Sequence, residues 1–253
     1  MKTIALAIPF FNTSEYFLDC IKYALEDSFV SEIIVNDDCS EEKEYEKLLS
    51  LVEGKEKIKV FRNEKNLGAF RNKYETVKKC TSEWVYLLDS DNHPFEETYQ
   101  VIREIPDDHK NICYSPRKKF CKFEKREIPS EHDGYEITPD YNFKYDIIGI
   151  EESKDAIFKK TKWFEWFINT GNYVINRQMY LDSLKDAYDN EETPLLHADT
   201  AAAYYFWLKN NGEFVVVDNL RHNHRLRLDS YWNACGPYSM KSVEYYKNKI
   251  INL

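Results

Sequence analysis

The feature that most constrains this chain is a regular alternation, across residues 3–95, of short apolar runs with amphipathic stretches of helical period. Thr3 to Pro9, Glu32 to Asn36, Ile58 to Phe61 and Trp84 to Leu88 are short runs rich in β-formers, bounded by polar residues. Runs of this length and continuity are the pattern of strands buried on both faces. Between them, Ser14 to Asp27 places Phe17, Ile21, Ala24 and Leu25 on one helical face, with Thr13 or Ser14 as its cap. Ser40 caps a charged helix with Tyr45, Leu48, Leu49 and Val52 on its apolar side, and residues 68–80 form a third helix. Pro94 opens a fourth, since proline suits the first helical turn. Such alternation predicts an α/β fold: a parallel sheet with helices on both faces.

The second half is less regular. Asn111 to Ser115 reads as a strand, whereas residues 117–150 carry Pro129 and Pro139 with no sustained period and read as a long loop or small lobe over the site. Residues 161–168 are rich in aromatics. Asn172 to Asn176 reads as a strand, 177–188 as a helix, and His197 to Asn211 as a helix ending at Gly212, a glycine C-cap. Phe214 to Val217 is a strand. A basic, aromatic tail from Arg221 closes the chain with a short helix.

Asp89-Ser90-Asp91 follows the apolar run Trp84 to Leu88 directly. Buried carboxylates are costly unless paired or metal-bound. At the carboxyl end of a strand they reach the crevice where open α/β sheets bind ligands. Two hard oxygen donors with room for phosphate oxygens and water suit Mg²⁺ or Mn²⁺, so the pair predicts a metal-dependent site that handles a diphosphate. A solvated turn is the alternative reading of the tripeptide alone.

Bulk properties narrow the classes. With 253 residues and 43% hydrophobic content, the chain can bury one substantial core. A net charge of −9 argues against nucleic acid as a partner. Cys20, Cys39, Cys80, Cys113, Cys121 and Cys235 show no C-x-x-C spacing, which excludes the usual zinc motifs and suggests reduced thiols in the cytoplasm. The apolar stretch 3–11 contains Pro9 and lacks a small-residue cleavage site, so it reads as a core strand rather than a signal peptide. No run of about 20 apolar residues is present to span a membrane.

Four segments fall where successive strands would end: Ile8-Pro9-Phe10-Phe11-Asn12, Asn36-Asp37-Asp38-Cys39-Ser40, Asn66-Leu67-Gly68-Ala69-Phe70-Arg71-Asn72 and Asp89-Ser90-Asp91-Asn92. Together and in this order they resemble the nucleotide-sugar-binding half of a GT-A fold glycosyltransferase, and in particular glycosyltransferase family 2. The family pattern has D-D-G-S where this chain has D-D-C-S, with Cys39 in place of glycine, and two more residues between Gly68 and Arg71-Asn72. The resemblance covers residues 3–95 well and the rest loosely.

It implies a GT-A (Rossmann-like) open, mostly parallel sheet with a less regular acceptor-binding C-terminal half, in one domain over 1–253: a nucleotide-sugar half 1–95, an acceptor and catalytic half 96–220 and a tail 221–253. It further implies that Pro9, Phe11 and Asn12 line the nucleoside pocket and that Asp38, beside Asp37, hydrogen-bonds the base or ribose of a uridine donor. Asn66, Gly68, Arg71 and Ser90 would complete the donor site. Asp91 would hold Mn²⁺ or Mg²⁺, with Asp89 on ribose or metal-bound water. The acidic residue that serves as base in the family corresponds to Asp199 in His197-Ala198-Asp199-Thr200, and an inverting transfer needs such a carboxylate within reach of the acceptor hydroxyl. His224, preferred over His222, would be a further metal ligand, with Arg225 on phosphate. Trp163, Trp166 and Trp232 are candidates for stacking on sugars, though Trp163 and Trp166 lie three apart on a helix and core packing is an equal reading of them; Gly171-Asn172 is a candidate for the neighbourhood of the transferred sugar. The implied activity is transfer of a sugar from a nucleotide donor, a UDP-sugar, to a hydroxyl of a glycan, lipid-linked or protein acceptor. The basic tail could dock on a membrane surface or on a second copy.

Plainer readings stand beside these roles. Asp37-Asp38 could be a turn before a helix capped by Ser40, Asp199 a charge favoured by a helix N-terminus, and 221–227 a solvated basic loop. A haloacid-dehalogenase-type phosphatase also has D-x-D after an apolar strand, but wants Thr or Val where His93 stands, and its nucleophile lies near the start of its domain. A sugar nucleotidyltransferase needs a glycine-rich loop that Pro9-Phe10-Phe11-Asn12 cannot form. An EF-hand from Asp89 fails at Pro94 and Gln100. A catalytically degenerate binding module is the non-enzymatic alternative.

Overall fold

The computed structural model describes residues 3–123, 146–161, 164, 167–168, 171–227 and 230–253. In chain order the described elements are β1 (Ile4–Phe10), α1 (Ser14–Glu26), β2 (Val30–Asp37), α2 (Glu42–Val52), β3 (Ile58–Arg62), α3 (Ala69–Lys79), β4 (Trp84–Leu87), β5 (His93–Pro94), α4 (Thr98–Glu104), β6 (Ile112–Phe123) and α5 (Ile150–Phe158). They continue with β7 (Tyr173–Asn176), α6 (Arg177–Asn190), a 3₁₀ turn (Thr193–Leu196), α7 (Asp199–Lys209), β8 (Glu213–Leu226), α8 (Tyr231–Cys235) and α9 (Pro237–Ile251).

All eight strands join one sheet in the order β3-β2-β1-β4-β7-β6-β8-β5. β1 pairs in parallel with β2 and β4, and β2 with β3, as the alternation predicts. The sheet is mixed rather than parallel throughout. β7 runs antiparallel to both β4 and β6, and β5 antiparallel to β8. β1 shows how the layers form. Ile4, Leu6, Ile8 and Phe10 point into one core with Phe17 and Ile21 of α1 and Ile102 of α4. Ala5 and Ala7 point into the other, with Phe70 of α3, Leu184 of α6 and Ala202 of α7. Successive strand residues alternate faces, so one apolar run serves both cores.

Several expectations are corrected. Pro94 does not begin a helix. It pairs with His222 in the edge strand β5, where a residue without an N–H is tolerated, and α4 starts at Thr98. The region from 117 is not all loop, because β6 continues to Phe123 in parallel pairing with β8, and α5 lies at Ile150–Phe158. The segment 221–226 is strand rather than solvated loop. Ser40 is not a helix cap: its Oγ accepts from Asn12 N at 2.9 Å. Thr13 Oγ1 pairs with Ser90 Oγ and Ser14 Oγ donates to Glu44 Oε2, so neither side chain caps α1. At the end of α7 the left-handed residue is Asn211 (φ 58°). Gly212 instead makes room for the Trp207 ring, which a Cβ there would meet at 2.3 Å. Trp163, Trp166 and the side chain of Trp232 lie outside the described residues.

Candidate active site

The ends of β1, β2 and β4 meet at one edge of the sheet, and the predicted motifs divide there into residues that build the crevice and residues that face it. Asp37 and Asp38 build it. Asp37 is fully buried, receives Ser40 N and pairs with Arg62 at 3.2 Å. Asp38 Oδ1 accepts from Leu67 N and Asn63 Nδ2, both at 2.8 Å, and Oδ2 from Gly68 N at 2.9 Å. Burial nonetheless lifts the Asp38 pKa above the ordinary carboxylate value, outweighing those donors. Both oxygens of Asp38 thus hold the Asn66-Leu67-Gly68 loop, and Asn66 Oδ1 also accepts from Gly68 N. Cys39, standing where the family pattern has glycine, adopts the left-handed φ of 62° that glycine would supply at no steric cost. Asn12 is left-handed too (φ 50°), and its side chain accepts from Glu41 N. Asn36, Asn63 and Asn72 hydrogen-bond one another beneath these turns.

Arg71 does not enter the crevice network. Its guanidinium donates to the carbonyls of Tyr188 and Glu191 and to Thr193 Oγ1, which fastens α3 to the C-terminal end of α6. Ser90 is buried against Thr13. Phe11, 44% exposed, stands at the mouth of β1.

Asp89 and Asp199 come together across a lysine. Lys73 Nζ lies 2.9 Å from Asp89 Oδ1 and 2.7 Å from Asp199 Oδ2. Burial works against the Lys73 charge, but Asp199 and Asp89 outweigh it and hold its pKa well above the usual lysine value. A recess beside these groups is lined by Leu87, Gly171, Tyr173, Tyr180 and Thr200. Asp91 pairs with Arg227 at 3.3 Å, and its backbone carbonyl accepts from Arg225 Nε. Both guanidinium groups lie over the Tyr16 ring, at 4.1 Å for Arg225 and 5.4 Å for Arg227. Burial, then the charge of Asp89, raises the Asp91 pKa to about 6 against the pull of Arg227.

His222 is tied to this cluster. His222 Nε2 lies 3.0 Å from Asn172 Nδ2, and Asn172 Oδ1 accepts from Asp89 N at 2.8 Å. Among the described residues no three His, Cys, Asp or Glu side chains converge to hold an ion, so His224 is not gathered with Asp89 and Asp91. One oxygen of each carboxylate is ion-paired, Asp89 Oδ1 with Lys73 and Asp91 Oδ2 with Arg227, and as hard oxygen donors they are of the type that Mg²⁺ or Mn²⁺ takes, one or two at a time, beside phosphate and water.

The sequence reading missed Lys73, Arg227 and Tyr231. Lys73 carried a signal: it falls on the apolar face Phe70-Lys73-Tyr74-Val77 of α3, where a lysine needs a buried partner. Arg227 lay beyond the histidines that drew attention. Tyr231 Oη sits 2.9 Å from His197 Nδ1 and where a Cβ on Gly68 would meet it at 3.2 Å, which joins the C-terminal segment to the Asp38 loop.

A parallel sheet edge carrying D-x-D, faced by a carboxylate at the start of a helix from the second half, is the arrangement expected of a GT-A glycosyltransferase. A model of glycosyl transferase family 2 matches residues 5–185, and the chain belongs to that family. It is similar to Glycosyltransferase GlyG of Streptococcus pneumoniae, 26% identical over 108 residues that cover 41% of this chain and 36% of that relative. The match thus spans about a third of the curated relative. Among solved structures, S. aureus TarS 1–349 in complex with UDP-GlcNAc has a TM-score of 0.59 at 16% identity, covering 99% of this chain and 67% of that one. GalNAc-T7 with UDP, GalNAc and Mn²⁺ has a TM-score of 0.65 at 16% identity, covering 98% of this chain and 48% of that one. At these identities the likeness establishes the fold. No helix among the described residues is long and apolar enough to cross a membrane.

Proposed function

We propose that this glycosyltransferase moves a sugar from a UDP-sugar to an acceptor hydroxyl, with inversion and with a divalent metal at the donor. One observation carries the reading: Asp89 and Asp199, far apart in sequence, flank a single buried ammonium. This supports reading Asp89 and the candidate base as parts of one site. The UDP and UDP-GlcNAc bound by TarS, and the UDP and Mn²⁺ bound by GalNAc-T7, support the donor class.

Pro9 and Phe11 flank the nucleoside, with the Asn66-Leu67-Gly68 loop opposite, shaped by Asp38. Asp91 and Asp89 would hold Mn²⁺ or Mg²⁺, and neither His222 nor His224 is assigned as a ligand. When bound, that ion neutralises charge on the diphosphate. Asp199 accepts the proton of the acceptor hydroxyl as its oxygen attacks the anomeric carbon and the bond to the diphosphate breaks on the opposite side. Arg225 and Arg227, preorganised on Tyr16, stabilise the departing charge. The acceptor is a hydroxyl of a glycan, lipid-linked or protein substrate. Residues 1–253 act as one catalytic domain, with 1–95 as the donor half, 96–220 as the acceptor half and 221–253 as the closing tail. The free cysteines among the described residues suit the cytoplasm.

The test is a panel of nucleotide sugars with and without Mn²⁺, comparing wild type with Asp91→Ala and Asp199→Ala. One donor should be hydrolysed in a metal-dependent way that Asp91→Ala abolishes, while Asp199→Ala keeps donor binding and loses transfer. Absence of any nucleotide-sugar binding would overturn the proposal.

A further inference from the structure

We propose that Lys73 is a positioning residue for transfer: its ammonium is the strut that fixes the carboxylate of Asp199 relative to the donor carboxylate Asp89. The inference rests on the reading of Asp199 as base.

Lys73 stands on the inner face of α3, 8% exposed, among Phe70, Tyr74 and Val77. A charge buried there is tolerated only when paired with good geometry. Its partners come from two different elements, Asp89 after β4 at 2.9 Å and Asp199 in the first turn of α7 at 2.7 Å. The backbone around it is shaped to the same end. A Cβ on Gly171, just before β7, would stand 2.8 Å from Lys73 Nζ and 2.6 Å from Thr200 Cγ2, so the absence of a side chain there leaves room for the ammonium beside α7. Leu87, Tyr173 and Tyr180 line the same recess. In surroundings this apolar, an ion pair is stiffer and stronger than at the surface.

The strut orients Asp199 by holding Oδ2, which assigns Oδ1 as the oxygen that takes the acceptor proton. Lys73 touches neither proton nor sugar in this assignment and acts through Asp199.

The test compares Lys73→Met, Lys73→Arg, Asp199→Asn and the double variant Lys73→Met/Asp199→Asn. It reads kcat and KM on the donor that the wild type turns over, alongside UDP affinity by calorimetry with Mn²⁺. Lys73→Met should lower kcat by roughly 30–100-fold, the scale of a base displaced by about 1 Å, with UDP affinity within about threefold of wild type, because uridine recognition lies elsewhere. Lys73→Arg should recover most of that loss. The double variant should be no slower than Asp199→Asn, since groups acting as a unit are not additive. If Lys73→Met does not fold, Gly171→Ala crowds the ammonium without removing it and should lower kcat in the same selective way. A Lys73→Met kcat within threefold of wild type, a loss explained by UDP affinity, or additive losses in the double variant would overturn the strut. Wild-type turnover retained by Asp199→Asn would instead overturn the base assignment.

Discussion

Asp38 separates two accounts of the nucleotide pocket, one in which its carboxylate touches the base and one in which it builds the loop beside it. The perturbation is Asp38→Ala. It removes the acceptor of Leu67 N, Gly68 N and Asn63 Nδ2. Hydrogen bonds to a charged group contribute about 1.5–3 kcal/mol each. Asn63 Nδ2 keeps Asn72 Oδ1 at 3.1 Å as a partner, and the two partly buried amides can be rewetted. A loss of about 3 kcal/mol is therefore expected, well below the sum of the three bonds. For a chain of this size that lowers Tm by roughly 6–12 °C. Asp38→Asn keeps an oxygen toward Leu67 and Asn63 but turns an amide N–H₂ toward Gly68 N, and should cost about half as much. Urea denaturation of the three proteins gives the stabilities, and UDP titration gives the affinity. If Asp38 builds the loop, stability and affinity fall together. A stability change under about 0.5 kcal/mol with a selective loss of uridine affinity would refute the account and restore the direct base contact.

Asp91 has a folded pKa of about 6, above its ordinary 3.8, so its contribution to stability is present below about pH 4 and is lost as pH rises through 6. The cost at pH 8 is about 3 kcal/mol. With metal chelated, Asp91→Asn should remove that part of the stability–pH slope, read by urea denaturation from pH 4 to 8, and abolish metal-dependent turnover. Cys39→Gly relieves a left-handed φ and should raise stability by about 0.5–1 kcal/mol in thermal melts. Arg71→Ala removes the clamp on Tyr188, Glu191 and Thr193 and should destabilise by about 1–2 kcal/mol while UDP affinity holds.

The donor half was legible because its logic is local. The first three apolar runs, ending at Pro9, Asn36 and Phe61, are each followed by a helix, and right-handed crossovers leave little choice of arrangement. The direction of β7 was not legible, since Tyr173 to Asn176 has the same apolar pattern in either orientation. β8 hid behind its charges. Arg221, His222, Arg225 and Arg227 suggest a solvated loop by composition, yet His222 is fully buried and Arg227 nearly so, each against a partner more than forty residues away. The D-x-D and Asp199 were found by pattern, but their convergence on Lys73 needed the tertiary fold. Asp38 shows the opposite limit, where a motif was recognised and its carboxylate proved to hold backbone.

The hydrogen bonds and ion pairs around Asp91 reach across 134 and 136 residues of chain, to Arg225 and Arg227. A ribosome delivers those arginines long after the strands they complete. While the chain emerges, residues 3–95 can lay down their pleats and crossovers, yet Asp91 has no guanidinium to meet and Asp89 has neither Asn172 nor the far partner of Lys73. Maturation of the site is thus timed by the order of synthesis: a nascent chain stalled before Arg225 would hold an acidic, half-assembled cleft. Competence would arrive late and abruptly, as the final strand zips beside β6 and Tyr231 comes to rest on Gly68.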